Sequence, residues 1–191
     1  MTQDAPSKPL KLSKPVVLVG LMGAGKTCIG TRLAEKLDLP FVDADSEIEK
    51  AAGCSVPDIF EIYGESEFRE GERRVISRLL KDPVHVLATG GGAFMDSETR
   101  HEVQERAISV WLRADLDLLF SRTGRRSSRP LLKNGDRRKI LEKLIKERHP
   151  VYAEADLVID SARESPDITV DRLIAALETF TSDAAVADAA Q

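Results

Sequence analysis

Residues 20–27 read GLMGAGKT, between the apolar run PVVLV (residues 15–19) and the amphipathic CIGTRLAEKL (residues 28–37). Gly20, four residues, then Gly25-Lys26-Thr27 matches G-x-x-x-x-G-K-[ST], and its flanks place it on a strand-to-helix turn. There, glycines let successive backbone N–H groups curl around phosphate oxygens at a helix N-terminus. Gly23, Ala24, Gly25, Lys26, Thr27 and Cys28 are the expected nucleotide-binding stretch. Lys26 should reach the β and γ phosphates, and the Thr27 hydroxyl should coordinate the magnesium that bridges them. The alternative is a Gly-rich turn that matches by chance.

Working outward, short β-branched runs alternate with longer amphipathic segments. The runs are Val16 to Val19, Phe41 to Val42, Val84 to Ala88, Ile108 to Leu112 and Leu157 to Ile159, each too short for a helix. Strand-helix alternation predicts a three-layer α/β fold with a five-stranded parallel sheet, helices on both faces and ligands beyond the C-terminal strand ends. After Gly64, residues Phe68, Glu72, Val75, Ile76, Leu79 and Leu80 follow helical spacing, with Glu72 a polar intruder on the apolar stripe.

Composition bounds the partners. The chain has 191 residues, 42% of them hydrophobic, which suits one compact domain, expected over residues 15–181. Residues 1–14 and the Ala/Asp-rich stretch from Ser182 are expected to be flexible tails. Lys plus Arg number 28 against 32 Asp plus Glu, a net charge of −4, so neither nucleic acid nor anionic membrane is an expected partner. Cys28 and Cys54 lack metal or CxxC spacing, and no apolar run is long enough to span a bilayer, so a cytoplasmic protein is expected. His85, His101 and His149 show no metal spacing either.

Four further stretches carry chemistry. In FVDADSEIE, alternation along an extended strand end points Asp43 and Asp45 to one side. One carboxylate can hold hydrated magnesium while the other orients or deprotonates an acceptor hydroxyl; alternatively one of them N-caps the following helix. In SVPDIFEIYGESEFREGE, Phe60 and Phe68 make an apolar wall, and Glu72 lies at i+3 from Arg69. That spacing locks a planar guanidinium for bidentate carboxylate recognition, or it is an ordinary surface pair beside two core phenylalanines. In TGGGAF, Gly90, Gly91 and Gly92 permit close backbone approach. In SRTGRRSSRPLLKNGD, Arg122, Arg125, Arg126 and Arg129 form a local anion-binding segment with the composition of a closing lid, over about residues 122–135. A solvated basic loop is the bland alternative, and the lack of interleaved aromatics weakens a nucleic-acid role.

No NKxD sequence occurs, and the chain is short for a motor or transporter ATPase. A small-acceptor kinase is the economical reading. GLMGAGKT, FVDADSEIE, IFEIYGESEFR, TGGGAF, SRPLL and ERHPVY, in this order across about residues 15–175, resemble shikimate kinase throughout. The resemblance implies an enzyme with a nucleoside monophosphate kinase-like fold, a substrate-binding region near residues 43–72 and a mobile lid; a monomer is expected. It implies transfer of the γ-phosphoryl of ATP, with Mg²⁺, to the 3-hydroxyl of shikimate on the route to chorismate and aromatic amino acids. By position, Asp45 resembles the acid that grips the shikimate hydroxyls and serves as base, and Asp43 the acid that holds magnesium through water. Arg69, Arg148 and the glycines around Gly91 correspond to carboxylate- and hydroxyl-binding positions, with Phe60 and Phe68 beside the ring. Glu72 matches the acid that orients Arg69, and Arg129 the lid arginine that reaches phosphates and substrate. Arg122 and the stretch from Arg163 to Pro166 resemble adenine-flanking elements.

Three features depart from that pattern. Cys28 follows Thr27 where many relatives carry Thr, Gly71 is expected to interrupt the helix between Arg69 and Glu72 and to loosen their brace by about 1 kcal/mol of helix propensity, and neither tail has a family role. Two other functions compete: a kinase for another small hydroxy acid such as gluconate, and a catalytically silent nucleotide-binding regulatory module. Lys26 and Asp45, which loss of catalysis would tend to remove, are both present.

Overall fold

The computed structural model describes residues 10–124 and 136–189. Five strands, β1 (Val16–Val19), β2 (Phe41–Asp43), β3 (Val86–Ala88), β4 (Ile108–Arg113) and β5 (Leu157–Asp160), form one parallel sheet in the order β2-β3-β1-β4-β5. β1 is central: Val16 sits opposite Val86 on one side and Ile108 on the other. Val16, Val17 and Leu18 are fully buried, as expected of a strand covered on both faces. Such side chains contribute about 1.5–3 kcal/mol each in removed apolar surface.

Helices α1 (Lys26–Leu37), α2 (Ala44–Ala52), α3 (Val56–Leu79), α4 (Ser97–Arg106), α5 (Leu116–Thr123), α6 (Arg137–Tyr152) and α7 (Pro166–Ala189) make the crossovers and the outer layers. Local sequence explains where most begin. Asp43, Asp96, Asp115 and Asp136 accept backbone N–H bonds as N-caps, and Ser55 with Asp58 forms a capping box before α3. The expected strands are all present, with ends moved by at most two residues.

Two expectations change. The acidic pair does not share a strand: β2 ends at Asp43 and Asp45 lies in the first turn of α2, which the Asp43 side chain caps. Gly71 does not interrupt α3; the non-helical residue is Gly64, at φ 84 and ψ 172, where the element bends. Helix α7 continues past Ser182 to Ala189, in keeping with the high helix propensity of alanine.

Candidate active site

At the C-terminal end of β1 the chain turns into α1 through three glycines with positive φ: Gly20 (137°), Gly23 (88°) and Gly25 (105°). Gly20 has a second constraint, since a Cβ there would lie 2.7 Å from the Leu112 carbonyl oxygen. Lys26 Nζ donates to the carbonyls of Gly20 (2.7 Å) and Leu21 (3.1 Å), folding its ammonium back over the loop. Ala24 is buried, and its carbonyl and that of Gly23 accept from Arg122 Nη1 at 3.3 and 3.4 Å. The same guanidinium donates to Ser161 Oγ and the Ala162 carbonyl, fastening the loop to the segment after β5.

Next to the loop stand the acids. Thr27 Oγ1 donates to Asp43 Oδ2 at 3.1 Å, so the two expected magnesium ligands converge. Asp43 Oδ1 accepts from the Asp45 backbone N–H at 3.1 Å. Capping and a place in the cleft are thus not alternatives for Asp43; it has both. Asp45 reaches the cleft from the helix, its surface still partly open to solvent. Crowding by protein and then the Asp43 carboxylate raise its pKa above the ordinary carboxylate range, with Lys26 acting in the opposite direction.

On α3, Arg69 Nη1 donates to Glu72 Oε2 at 2.6 Å and Nη2 to Glu65 Oε1 at 3.3 Å. Glu72 is 2% exposed. Burial raises its pKa against the pull of Arg69. Burial also opposes the charge on Arg69, which Glu72 and Glu65 more than offset. This is no surface pair. Phe60 and Phe68, from either side of the Gly64 bend, stack with centroids 4.5 Å apart, and Arg69 lies over Phe68.

The three glycines after β3 fill the space between these groups. A Cβ on Gly90 would come within 2.7 Å of Glu72 Oε1 and 3.0 Å of Asp45 Oδ1, and one on Gly92 within 2.5 Å of Arg69 Nη1. Gly91 is different: a Cβ there meets only ordinary contacts, but its carbonyl accepts from Arg148 Nη1 (2.7 Å) and from the Tyr152 hydroxyl.

These groups line one cleft of about 720 Å³, which takes in Gly23, Gly25, Lys26, Thr27, Cys28, Asp43, Asp45, Phe60, Phe68, Arg69, Gly90, Gly91, Gly92, Arg122 and Arg148. Pro166 opens α7 and does not line it. Arg129, with Arg125 and Arg126, lies outside the described residues, as does most of the expected lid. Sequence reasoning passed over Glu49, Pro57 and Thr89, which also line the cleft, and Tyr152 behind it. Glu49 was findable as the i+4 neighbour of Asp45 on α2; Tyr152 closes the quoted stretch ERHPVY, but nothing in that stretch marks its hydroxyl as a donor to Gly91.

A five-stranded parallel sheet in this order, with G-x-x-x-x-G-K-T closing its central strand, is the P-loop kinase fold, and the cleft beside the loop is that of a small-molecule kinase. A family model described as shikimate kinase matches residues 22–178. Shikimate kinase of Paramagnetospirillum magneticum is 53% identical over 176 residues, 92% of this chain and 90% of that one. A shikimate kinase from Acinetobacter baumannii, solved in complex with shikimate, superposes with a TM-score of 0.84 at 37% identity, covering 87% of this chain and 93% of that one. The chain belongs to the shikimate kinase family. A gluconokinase from Sinorhizobium meliloti superposes at 0.64 with 16% identity over 91% of this chain and 96% of that one, a likeness of fold alone.

Proposed function

We propose that the chain transfers the γ-phosphoryl group of ATP to the 3-hydroxyl of shikimate, giving shikimate 3-phosphate and ADP. The observation that carries this reading is the pair of guanidinium groups, Arg69 braced by buried Glu72 and Arg148 held on Gly91, in the same cleft as Lys26 and Asp45. Two planar cations beside an acid match an acceptor that has both a carboxylate and hydroxyls.

Family membership brings in ATP, and the turn from Gly20 to Thr27 has the backbone form for its phosphates. Thr27 and Asp43 offer a hydroxyl and a carboxylate 3.1 Å apart. Among the described residues no group of three or more His, Cys, Asp or Glu is placed to hold a metal. Two hard oxygen donors suit magnesium, which keeps most of its waters. When bound, Mg²⁺ supplies charge neutralisation on the β and γ phosphates.

The chain's own residues do the rest. Arg69 and Arg148 hold the substrate carboxylate against the Phe60/Phe68 wall. Asp45 accepts the proton of the 3-hydroxyl as its oxygen bonds to the γ phosphorus and the bond to the bridging oxygen of ADP breaks. Its raised pKa suits a base, because a more basic carboxylate takes the proton more readily. Lys26 exchanges its loop carbonyls for phosphate oxygens. Catalysis here consists mainly of positioning and charge stabilisation. Arg129, assigned to the lid by resemblance, lies outside the described residues.

Action as a monomer in the cytoplasm belongs to the same reading, and the two free cysteines suit a reducing compartment. One domain over about residues 15–181 accords with a single hydrophobic core. ADP release measured with ATP, Mg²⁺ and either shikimate or gluconate tests the function. Strict dependence on shikimate is expected; a preference for gluconate, or ADP release indifferent to either acid, overturns the reading.

A further inference from the structure

The glycine turn after β3 has few means of holding itself. Three consecutive glycines leave the peptide planes free to rotate unless something outside fixes them. Gly90 and Gly92 are fixed by contacts and backbone: their carbonyls accept from the Ala93 and Met95 N–H groups at 3.2 and 3.0 Å, and the space beside them is closed, since an added Cβ would strike Glu72 and Asp45 at Gly90 and Arg69 at Gly92. Gly91 lacks that crowding, and its carbonyl partners are two side chains of α6, Arg148 and Tyr152.

Arg148 and Tyr152 are i and i+4 on that helix, so they share a face. Both converge on one oxygen. A carbonyl has two lone pairs, and these two donors fill them. The Tyr152 ring is fully buried and packs near Trp111, at 6.0 Å between centroids. Packing alone would be served by phenylalanine, whereas the hydroxyl reaches the turn. Burial raises the Tyr152 pKa, so the hydroxyl stays protonated, and a donor, through the neutral range.

We infer that Tyr152 is a positioning residue for the acceptor substrate: its hydroxyl pins the Gly91 carbonyl, and that carbonyl aims the Arg148 guanidinium into the cleft. The inference rests on the shikimate kinase reading, since it names which substrate senses the pin. Without the hydroxyl, Arg148 is the one donor left to the Gly91 carbonyl among the described residues, and Arg148 loses its own interaction with the Tyr152 hydroxyl. The ATP side of the cleft is anchored separately, by Arg122.

The test is Tyr152→Phe, assayed beside the unaltered enzyme for steady-state kinetics in both substrates. Loss of one positioning hydrogen bond is expected to raise KM for shikimate about three- to tenfold, with kcat and KM for ATP each changed less than about twofold. A merely structural role would lower the active fraction, and hence kcat, for both substrates together. Isothermal titration with shikimate gives a second readout in an Arg148→Ala background, where Tyr152→Phe should have no further effect because the residue it acts through is gone. An unchanged KM for shikimate, a loss shared equally by ATP, or a full additional loss in the Arg148→Ala background overturns the inference and leaves the function intact. If the unaltered enzyme shows no shikimate-dependent ADP release, the functional reading fails and this inference fails with it.

Discussion

Glu72 holds Arg69 with one carboxylate oxygen at 2.6 Å, while its other oxygen, Oε1, is buried without a hydrogen-bond partner among the described residues. A buried carboxylate with half its capacity unmet is costly, and desolvation offsets much of what the ion pair gains. The arrangement stabilises a geometry more than it stabilises the fold.

Removing either member should therefore show first in substrate binding. Arg69→Ala is expected to raise KM for shikimate about 10- to 100-fold, the effect of one lost charged hydrogen-bonding partner, with KM for ATP little changed. Glu72→Gln keeps the volume but releases the guanidinium, so a smaller rise in the same constant is expected. The double variant should fall well short of the product of the two effects. Steady-state kinetics decide, and an unchanged KM in Arg69→Ala would withdraw that residue from the site.

Asp45→Asn separates catalysis from stability. Turnover should fall at least about 100-fold, as for loss of a general base, while ATP binding persists. The folded-state pKa of Asp45 is raised by burial and by Asp43. A raised carboxylate contributes stability that is fully present below its unfolded pKa, about 3.9, and lost as pH rises through the folded value. At pH 7 the ionised group is a liability, and the asparagine variant should melt slightly higher; solvent at the cleft mouth keeps the gain small. Below about pH 4 the difference should disappear. Thermal melts at both pH values check the sign, and a variant that melts lower at pH 7 contradicts it.

The glycine turn gives a steric prediction. A Cβ at position 90 lands 2.7 Å from Glu72 Oε1 and 3.0 Å from Asp45 Oδ1, while one at position 92 strikes the Arg69 guanidinium at 2.5 Å. Gly90→Ala crowds both Glu72 and the Asp45 carboxylate, and should depress kcat as well as raise KM for shikimate. Gly92→Ala displaces the carboxylate clamp and should chiefly raise KM for shikimate. Kinetic profiles of the two variants that could be interchanged would count against this division of roles.

Two glycines of α3 should respond in opposite senses to the same change. Gly71 is helical, and a Cβ added there would meet nothing within 4 Å, so Gly71→Ala should stabilise by about 0.4–1 kcal/mol. Gly64 has equally open space, but at φ 84 and ψ 172 an alanine is strained, and Gly64→Ala should destabilise by about 1–3 kcal/mol. Urea denaturation of both measures the contrast.

Fold class was legible because the strand runs are short, apolar and set between helical patterns; Val16–Val19 is bounded as its residues suggest. The P-loop was legible because glycine, lysine and threonine at that spacing have few other uses. The Glu72 intruder was visible as a charge on an apolar stripe, and its burial beside Arg69 explains it. What escaped was tertiary. Alternation misplaced Asp45, since the strand ends at Asp43, which caps the next helix. Helix propensity singled out Gly71, whereas the bend belongs to Gly64, whose backbone angles no propensity scale reports. Tyr152 was unreadable because its partner is a backbone carbonyl 61 residues away.

Arg122 joins parts of the chain that are synthesised far apart: it binds the carbonyls of residues 23 and 24 on one side and residues 161 and 162 on the other. During synthesis, the nucleotide loop emerges near the beginning, and one end of its strap only after the fifth strand. A nascent chain halted before Ser161 would display the complete motif yet lack that anchorage. The order of emergence thus leaves one end of the Arg122 strap unmade until the last strand has been synthesised.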